Sequence, residues 1–291
     1  MLSNFENKIR MKLLKKARNI RKKVLDINEL NESNKNDYDD VFSGKLDYLL
    51  IKNFIPKSEL SQFNNQLNLA DNIKNNYREH TKSGFFLGYS LLEANSISDY
   101  FVMADKYNAH EKDILGFSFN ERIIQLTEKI SSVHSIEIPV NEKRDQYLGN
   151  TVRVLEPNKP AFPAHTDKYV HDINPKARHL NTLITPENLI SYFAVLKNTC
   201  KGGRLYLFNK YYSDTPHQIL EELTSGDFKK VQKYIYRNEV IKIDLEEGDL
   251  ILFNAGNRWH LVEPIYGPDA RITVGSFTSY NKNKDKIYIW S

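Results

Sequence analysis

The chain has 291 residues, of which 40% are hydrophobic and 27% are charged, and its formal net charge is +4. These values are typical of a folded globular protein and exclude an intrinsically disordered chain. The positive charge is too small to indicate a nucleic-acid-binding protein by itself. No apolar run reaches the length of about 18 residues that a membrane span needs. The only cysteine, Cys200, has no partner for an internal disulfide, so we expect a reducing, cytoplasmic location.

Residues 1–30 have the pattern of an amphipathic helix, because apolar residues recur every three or four positions and lysine and arginine fill the opposite face. We interpret this as a solvated basic face on a helix that packs against the body of the protein or pairs with a second copy in a homo-oligomer. The alternative is an anchor for an anionic surface or for RNA. Residues 29–44 are polar and predict a linker. The chain would then divide into a flanking segment, 1–44, and a single main domain, 45–291.

The main domain begins with a mixture of strand and helix patterns. The run YLLIKNFIP, residues 48–56, predicts a strand that ends at a proline. Helices are predicted over 58–67 and over 121–133, the second with an apolar side rich in isoleucine.

From Tyr147 the pattern changes to short strands that turn residues separate. The strands are predicted in the segments GNTVRVLE, ISYFAVLK, GRLYLFN, EVIKIDL, DLILFN, RWHLVEP and ARITVGSFTSY. Many short strands at close spacing indicate a β-sandwich, a jelly roll or a barrel. The whole pattern predicts an α+β fold in which N-terminal helices flank a β core at about 147–280.

Two histidines and an aspartate in this β-rich half have the composition of a mononuclear iron site. His165 and Asp167 stand in the motif H-T-D, and His260 stands on a predicted strand between turns. Side chains two positions apart on a strand share a face, so His165 and Asp167 can point into one cavity. Two imidazoles and one carboxylate are the ligands of non-haem Fe(II) centres that leave positions open for O2 and a co-substrate.

Arg271 and Thr273 form a second pair on one strand face, shortly after His260. A guanidinium binds a carboxylate through two parallel hydrogen bonds, and the threonine hydroxyl can add another. The pair is therefore suited to the distal carboxylate of a 2-oxo acid. H-x-D alone occurs by chance in many chains, but the order of turn, strand, histidine, turn and arginine strand makes the combination more specific.

The segment EGDLILFNAGNRWHLVEPIYGPDARITVGSF, with H-T-D and the strand GGRLYLFN before it, resembles the Fe(II)/2-oxoglutarate-dependent dioxygenase superfamily. The resemblance covers about residues 147–280 and implies a double-stranded β-helix core of the jelly-roll or cupin type. It implies that His165, Asp167 and His260 bind Fe(II) and that Arg271 binds the C5 carboxylate of 2-oxoglutarate, with O2 as the second co-substrate. No catalytic side chain is expected beyond the metal centre.

Two positions distinguish branches of this superfamily. The G-G-x-L strand is similar to the prolyl-hydroxylase-like branch, but typical prolyl hydroxylases carry lysine where this chain has Arg271, which is more like the small-molecule and amino-acid hydroxylases. Radical halogenases replace the acidic ligand with a small residue that admits chloride. Asp167 occupies that position, so the resemblance disfavours halogenation.

Several further residues are weaker candidates. Arg153 could bind the C1 carboxylate of 2-oxoglutarate or an acidic substrate group, and a structural ion pair is the alternative. Tyr192 could reach the co-substrate, and core packing is the alternative. Residues 168–189 are polar and interrupted by prolines, which predicts a lid that binds an anionic substrate group. His171, within that segment, is interpreted as a loop residue without a role. The candidate lid contacts are Lys176, Arg178 and His179.

The sequence therefore predicts an enzyme that hydroxylates an unactivated C–H bond of a small polar molecule, such as a free amino acid or a derivative. The alternative is a hydroxylase of a protein side chain or a nucleic acid, which GGRL and the basic helix would favour, although the low net charge makes nucleic acid the less expected partner. A β-barrel binding module without catalysis fits least, because all three ligands and the arginine are present.

Overall fold

Strands dominate the second half of this chain, whereas the first half alternates helices with strands. A computed structural model describes residues 14–17, 19–69, 78–92, 94–225 and 228–291. The protein has a mixed α and β organisation, and a strand lies in each segment where the sequence predicts one. Within these described ranges, no helix is both long and apolar enough to cross a membrane.

The regular elements are numbered in chain order. The strands are β1 (Lys22–Asp26), β2 (Tyr48–Lys52), β3 (Arg78–Thr81), β4 (Gly84–Leu87), β5 (Ile136–Glu137), β6 (Thr151–Leu155), β7 (Ile190–Lys197), β8 (Leu205–Tyr211), β9 (Val240–Ile243), β10 (Leu250–Asn254), β11 (Arg258–Val262), β12 (Arg271–Tyr280) and β13 (Ile287–Trp290). The helices of the described residues are α1 (Asp37–Phe42), α2 (Lys57–Leu69), α3 (Ile97–Leu115), α4 (Phe119–Ile130), α5 (Asp167–Ile173), α6 (Arg178–Leu183), α7 (His217–Thr224) and α8 (Phe228–Ile235).

Two β-sheets pack against each other. The larger sheet has the strand order β1, β2, β10, β7, β12, β6, β4 and β3, and β13 pairs with both β12 and β5. The smaller sheet has the order β11, β8 and β9. Most neighbours in both sheets are antiparallel, as expected for short strands that return on each other.

The larger sheet buries both of its faces, and its strands show this in the alternation of their side chains. On β7 and β10, Ala194 and Leu252 belong to a core shared with the helices. Their neighbours Val195 and Phe253 belong to a core shared with Leu207 of the smaller sheet. The helices therefore cover one face, and the smaller sheet covers the other.

The helix predicted over residues 1–30 is wrong for the residues that the structure describes there. Residues 22–26 form β1, which pairs in parallel with β2, and Val24 is 46% exposed where a helix pattern would bury it. The strand gains backbone hydrogen bonds from β2, a partner that local periodicity cannot reveal. Residues 1–13 lie outside the described residues.

The linker predicted over residues 29–44 is also wrong. The segment contains α1, whose Tyr38, Val41 and Phe42 are buried in the helix-side core. The hydroxyl of Tyr38 lies 3.1 Å from the hydroxyl of Thr278 on β12. The helix is too short to show an amphipathic period, and three large side chains are enough to fix it to the sheet.

Candidate metal centre

The two predicted histidine ligands lie on neighbouring extended segments. The backbone N–H of His165 donates to the carbonyl oxygen of His260 at 3.0 Å, and the N–H of His260 donates back at 2.9 Å. Their ring centres are 4.3 Å apart. The backbone pairing thus holds both imidazoles at the same depth between the sheets.

Asp167 joins this pair from the first turn of α5, and not from the predicted strand. Its N–H donates to the carbonyl oxygen of Ala255 at 2.8 Å. Its Oδ1 lies 3.4 Å from Nε2 of His165 and 3.7 Å from Nε2 of His260. One donor atom from each of the three side chains lies within 4.8 Å of the others, so together they could hold a metal ion.

Backbone carbonyls set the tautomer of both imidazoles. Nδ1 of His165 donates to the carbonyl oxygen of Pro163 at 2.9 Å, and Nδ1 of His260 donates to that of Arg258 at 3.0 Å. A carbonyl can only accept, so the proton of each neutral ring stays on Nδ1. Both Nε2 lone pairs remain available on the side of Asp167, which is the arrangement that a metal requires.

The protonation states also fit a divalent cation. Burial lowers the pKa of His260 to about 4, and the neighbouring imidazole of His165 adds to this effect. Burial opposes ionisation of Asp167, but the imidazoles of His260 and His165 hold the pKa of its carboxyl below the usual value. These shifts favour a neutral imidazole at His260 and an ionised carboxylate at Asp167, which are the forms that bind metal.

A cationic pocket lies beside the histidines on β12 and β6. Arg271, Thr273 and Arg153 all line the same cavity, and Arg153 lies directly across from Thr273 in the strand register. Arg271 is 3% exposed, and its guanidinium lies 5.3 Å from the ring centre of Phe193. Burial, and then repulsion from Arg153, lowers the pKa of Arg271 to about 9. Both effects penalise the cation, and a bound carboxylate would offset them.

The Gly-Gly pair before β8 fits a narrow space, and its second glycine makes room for this arginine. Gly202 and Gly203 have φ angles of +89° and +75°, which side-chain-bearing residues rarely adopt. A Cβ on Gly202 would lie 2.0 Å from the carbonyl oxygen of Pro264, and one on Gly203 would lie 2.6 Å from Cδ of Arg271. The two glycines of the motif GGRL are thus explained by local steric contacts, independently of any substrate.

The cavity between the sheets has a volume of about 710 Å³. Phenylalanine rings form part of its wall, and the ring of Phe162 meets that of His165 edge-on at 4.6 Å between centres. Hydroxyl side chains provide polar positions on the same wall, including Thr151 and Ser276. The phenylalanines that line it are Phe86, Phe162, Phe193, Phe253 and Phe277.

The lid predicted over residues 168–189 is wrong. Nζ of Lys176 donates to the carbonyl oxygens of Leu92 and Ala94, and Nδ1 of His179 lies 3.0 Å from the hydroxyl of Tyr147. Arg178 is exposed. None of the three predicted contacts lines the cavity. The apolar residues of this segment decide its position, because they are buried in the helix-side core: Ala177, Leu180, Ile184 and Leu189.

Tyr192 borders the cavity, but its ring stacks on Phe119 of α4 with 6.2 Å between centres. It belongs to the helix-side core, and burial raises the pKa of its hydroxyl well above the usual value. Tyr192 therefore has a packing role, which was the alternative to co-substrate binding.

His171, predicted to be a loop residue without a role, instead lies buried on α5 near the site. It lies one helical turn after Asp167 on α5, so the two share a helix face. Its ring packs edge-on against Phe277 at 5.5 Å and Trp290 at 5.9 Å. Burial lowers the pKa of His171 to about 4 and keeps the ring neutral. The four-residue spacing from Asp167 could have indicated that His171 lies near the site, but only if α5 had been predicted as a helix.

Comparisons with known proteins agree with this geometry. A sequence model of the family described as "Carrier-protein-independent halogenase WelO5" matches residues 23–291. A solved N-substituted L-amino acid dioxygenase from Burkholderia ambifaria AMMD superposes with a TM-score of 0.58 at 15% identity, over 88% of this chain and 90% of that chain. Its complex with alpha-KG gives a TM-score of 0.58 at 13% identity, with the same coverage. No protein with a curated description matches the sequence.

Proposed function

The chain belongs to the family of the carrier-protein-independent halogenase WelO5, and we propose that within this family it acts as a hydroxylase. The predicted resemblance to the Fe(II)/2-oxoglutarate-dependent superfamily is confirmed, because this halogenase family is part of it. Fe(II) is the cofactor, and 2-oxoglutarate and O2 are the co-substrates. We further propose that the two packed sheets are the double-stranded β-helix of that superfamily.

The residues present suit these groups. His165, Asp167 and His260 would hold the iron, with their donor atoms already within 4.8 Å of one another. Arg271 and Thr273 would hold the C5 carboxylate of 2-oxoglutarate, because the buried guanidinium needs an anion. Arg153 would place a second cation beside the co-substrate, because its charge adds to burial in lowering the pKa of both Arg271 and His260. When bound, the iron supplies oxidation of a C–H bond, coupled to decarboxylation of 2-oxoglutarate to succinate and CO2.

Asp167 is the observation that carries the choice of hydroxylation over halogenation. A halogenase of this superfamily needs a small residue here to admit chloride. In this chain an ionised carboxylate points at both Nε2 atoms, at 3.4 and 3.7 Å. Its negative charge and its volume both oppose a chloride at the same position.

The cavity favours a larger and less polar substrate than the free amino acid expected from the sequence. Pockets of about 300–1,000 Å³ suit drug-sized ligands, and this cavity of about 710 Å³ exceeds the needs of 2-oxoglutarate alone. Five phenylalanines line it. The basic helix that favoured a macromolecular substrate is replaced by β1 in its described part. We therefore propose a mostly apolar small molecule.

The test is a turnover assay with Fe(II), 2-oxoglutarate, O2 and a panel of apolar polycyclic and aromatic molecules, with chloride present. We expect substrate-dependent succinate and a product that has gained one oxygen atom. A chlorinated product from the unaltered protein would overturn the hydroxylase assignment. Absence of metal-dependent 2-oxoglutarate binding would overturn the enzyme assignment as a whole.

A further inference from the structure

We infer that the buried ion pair between Asp47 and Arg258 positions His260 for metal binding, which makes both of them positioning residues of the site. This inference rests on the proposed role of His260 as a ligand. Neither member of the pair lines the cavity, and each side chain is only 4% exposed. Their link to the site runs through β11, where Arg258 and His260 are two residues apart.

Arg258 is fixed at its side chain and supplies an acceptor from its backbone. Its guanidinium pairs with Asp47, and its Nε donates to the carbonyl oxygen of Phe208 at 3.0 Å. The guanidinium carbon also lies 5.5 Å from the ring centre of Tyr211. The carbonyl oxygen of the same Arg258 accepts the bond from Nδ1 of His260 at 3.0 Å. A shift of Arg258 would therefore move the acceptor that sets the orientation of the His260 ring.

The pairing of β11 with β8 is irregular at this point. Arg258 pairs with Tyr211 and His260 pairs with Leu207, so a step of two residues on β11 matches a step of four on β8. Irregularities of this kind redirect side chains near active sites, and they interrupt the ladder of backbone hydrogen bonds. The bond from Arg258 to the carbonyl oxygen of Phe208 lies within the irregular stretch. This side-chain bond holds β11 against β8 where the regular backbone hydrogen bonds are interrupted.

Asp47 is held from the N-terminal side of the chain. Its carboxylate accepts hydrogen bonds from the backbone N–H of Arg21 at 2.7 Å and from the guanidinium of Arg21 at 3.1 Å. Burial opposes its ionisation, but the charge of Arg258 and these bonds keep the pKa of Asp47 below the usual value. The carboxylate stays anionic and joins the segment before β1, the start of β2 and the first residue of β11.

An ion pair of this kind is a weak source of net stability. Removing two charges from water costs about as much as their attraction returns, and apolar residues of similar volume often replace such pairs without loss. Orientation of a metal ligand is a role that apolar replacements would not fulfil. Arg258 bonds to β8 within the irregular stretch and to Asp47 just before β2, and these two contacts favour this role over simple packing.

The test uses the metal-free full-length protein with Co²⁺ as the probe. We expect Asp47→Asn to weaken Co²⁺ binding by about tenfold or more, the effect typical of losing the partner of a ligand, and to change the visible spectrum of bound Co²⁺. The matched control is Asp37→Asn, because Asp37 is equally buried and its carboxylate pairs with Lys23 of β1 at 2.7 Å. Unchanged affinity and spectrum in Asp47→Asn, or an equal loss in Asp37→Asn, would overturn the inference.

Asp47→Asn leaves Arg258 as a buried unpaired charge, which can by itself unfold the chain. The double variant Asp47→Asn/Arg258→Met removes both charges, and we expect it to melt near the unaltered protein while Co²⁺ binding stays weak. If Co²⁺ affinity returns together with stability, the pair acts on stability alone and the inference fails. If the unaltered protein does not bind Co²⁺, the proposed metal site fails instead.

Discussion

Gly203 approaches Arg271 so closely that a Cβ on the glycine would lie 2.6 Å from Cδ of the arginine. Any side chain at this position must push the arginine stem away from its place on the cavity wall. The sequence motif before β8 and the buried guanidinium on β12 are therefore one structural unit. A change in this contact should alter the affinity of the protein for 2-oxoglutarate, which can be measured.

Gly203→Ala should raise KM for 2-oxoglutarate by about tenfold, with a smaller change in kcat, because displacing the guanidinium proposed to bind the co-substrate would weaken ground-state binding. Gly44→Ala is the matched control. Gly44 has the same φ angle of +75°, but nothing lies within 4 Å of the Cβ that would be added. Steady-state succinate assays on both variants separate backbone strain from the clash with Arg271. An equal KM in the two variants would contradict the clash.

Arg271→Gln should weaken 2-oxoglutarate binding by about 10–100-fold, the range for loss of a charge-assisted pair of about 1.5–3 kcal/mol. Co²⁺ binding should change little, since the residue is not among the three that could hold the metal. Titration of 2-oxoglutarate into the Co²⁺-loaded protein measures the first quantity, and Co²⁺ titration measures the second. Retention of tight 2-oxoglutarate binding would mean that another cation, such as Arg153, holds the distal carboxylate.

Asp167→Gly should remove hydroxylation and, in the presence of chloride, allow a chlorinated product. The change takes away the carboxylate near both Nε2 atoms and leaves space and a net positive charge for a halide. Mass spectrometry of the products, with chloride replaced by bromide as a check on the halogen source, gives the readout. A variant that still hydroxylates at the original rate would show that this carboxylate is not a ligand.

The stability of the metal-free protein should fall as the pH falls below neutral. The pKa values of the buried His171 and His260 are both lowered to about 4. Below about pH 6.5 the unfolded chain binds protons that the folded chain does not, so the free energy of unfolding decreases until about pH 4. Each histidine should account for about 2 kcal/mol of this loss between about pH 7 and pH 5.

Urea unfolding at several pH values, with a chelator present, measures this dependence. His171→Gln removes one titrating group and leaves His260 in place, so the loss of stability on acidification should be smaller than in the unaltered protein. An identical pH dependence in the variant would mean that His171 is protonated equally in the folded and unfolded chain.

The parts of the structure that the sequence predicts are those with a local signal. The strands after Tyr147 alternate apolar residues between turns, and His165, Asp167 and His260 together have the composition of an iron site and could hold a metal ion. Their spacing suggested one cavity, although Asp167 reaches it from a helix. The site residues could be predicted from the sequence because their side-chain types are those that metal binding and carboxylate binding require.

The wrong predictions lie in segments whose structure depends on contacts with residues distant in the sequence. β1 has a helical pattern, but pairing with β2 outweighs that propensity. The segment 168–189 is polar enough to predict a lid, yet Leu180 and Ile184 tie it to the core. The ion pair between Asp47 and Arg258 could not be predicted, because the two residues are far apart in the sequence and form no recognisable motif.

The register of β2 has a consequence for synthesis of the protein. Leu50 of β2 pairs with Ile251 of β10, so this early apolar strand gains its antiparallel neighbour only when most of the chain has left the ribosome. Pairings this distant slow folding, and an uncovered apolar strand invites association with other nascent chains. Truncated forms that stop before β10 should therefore accumulate as aggregates, and production in cells should improve with slower translation or added chaperones.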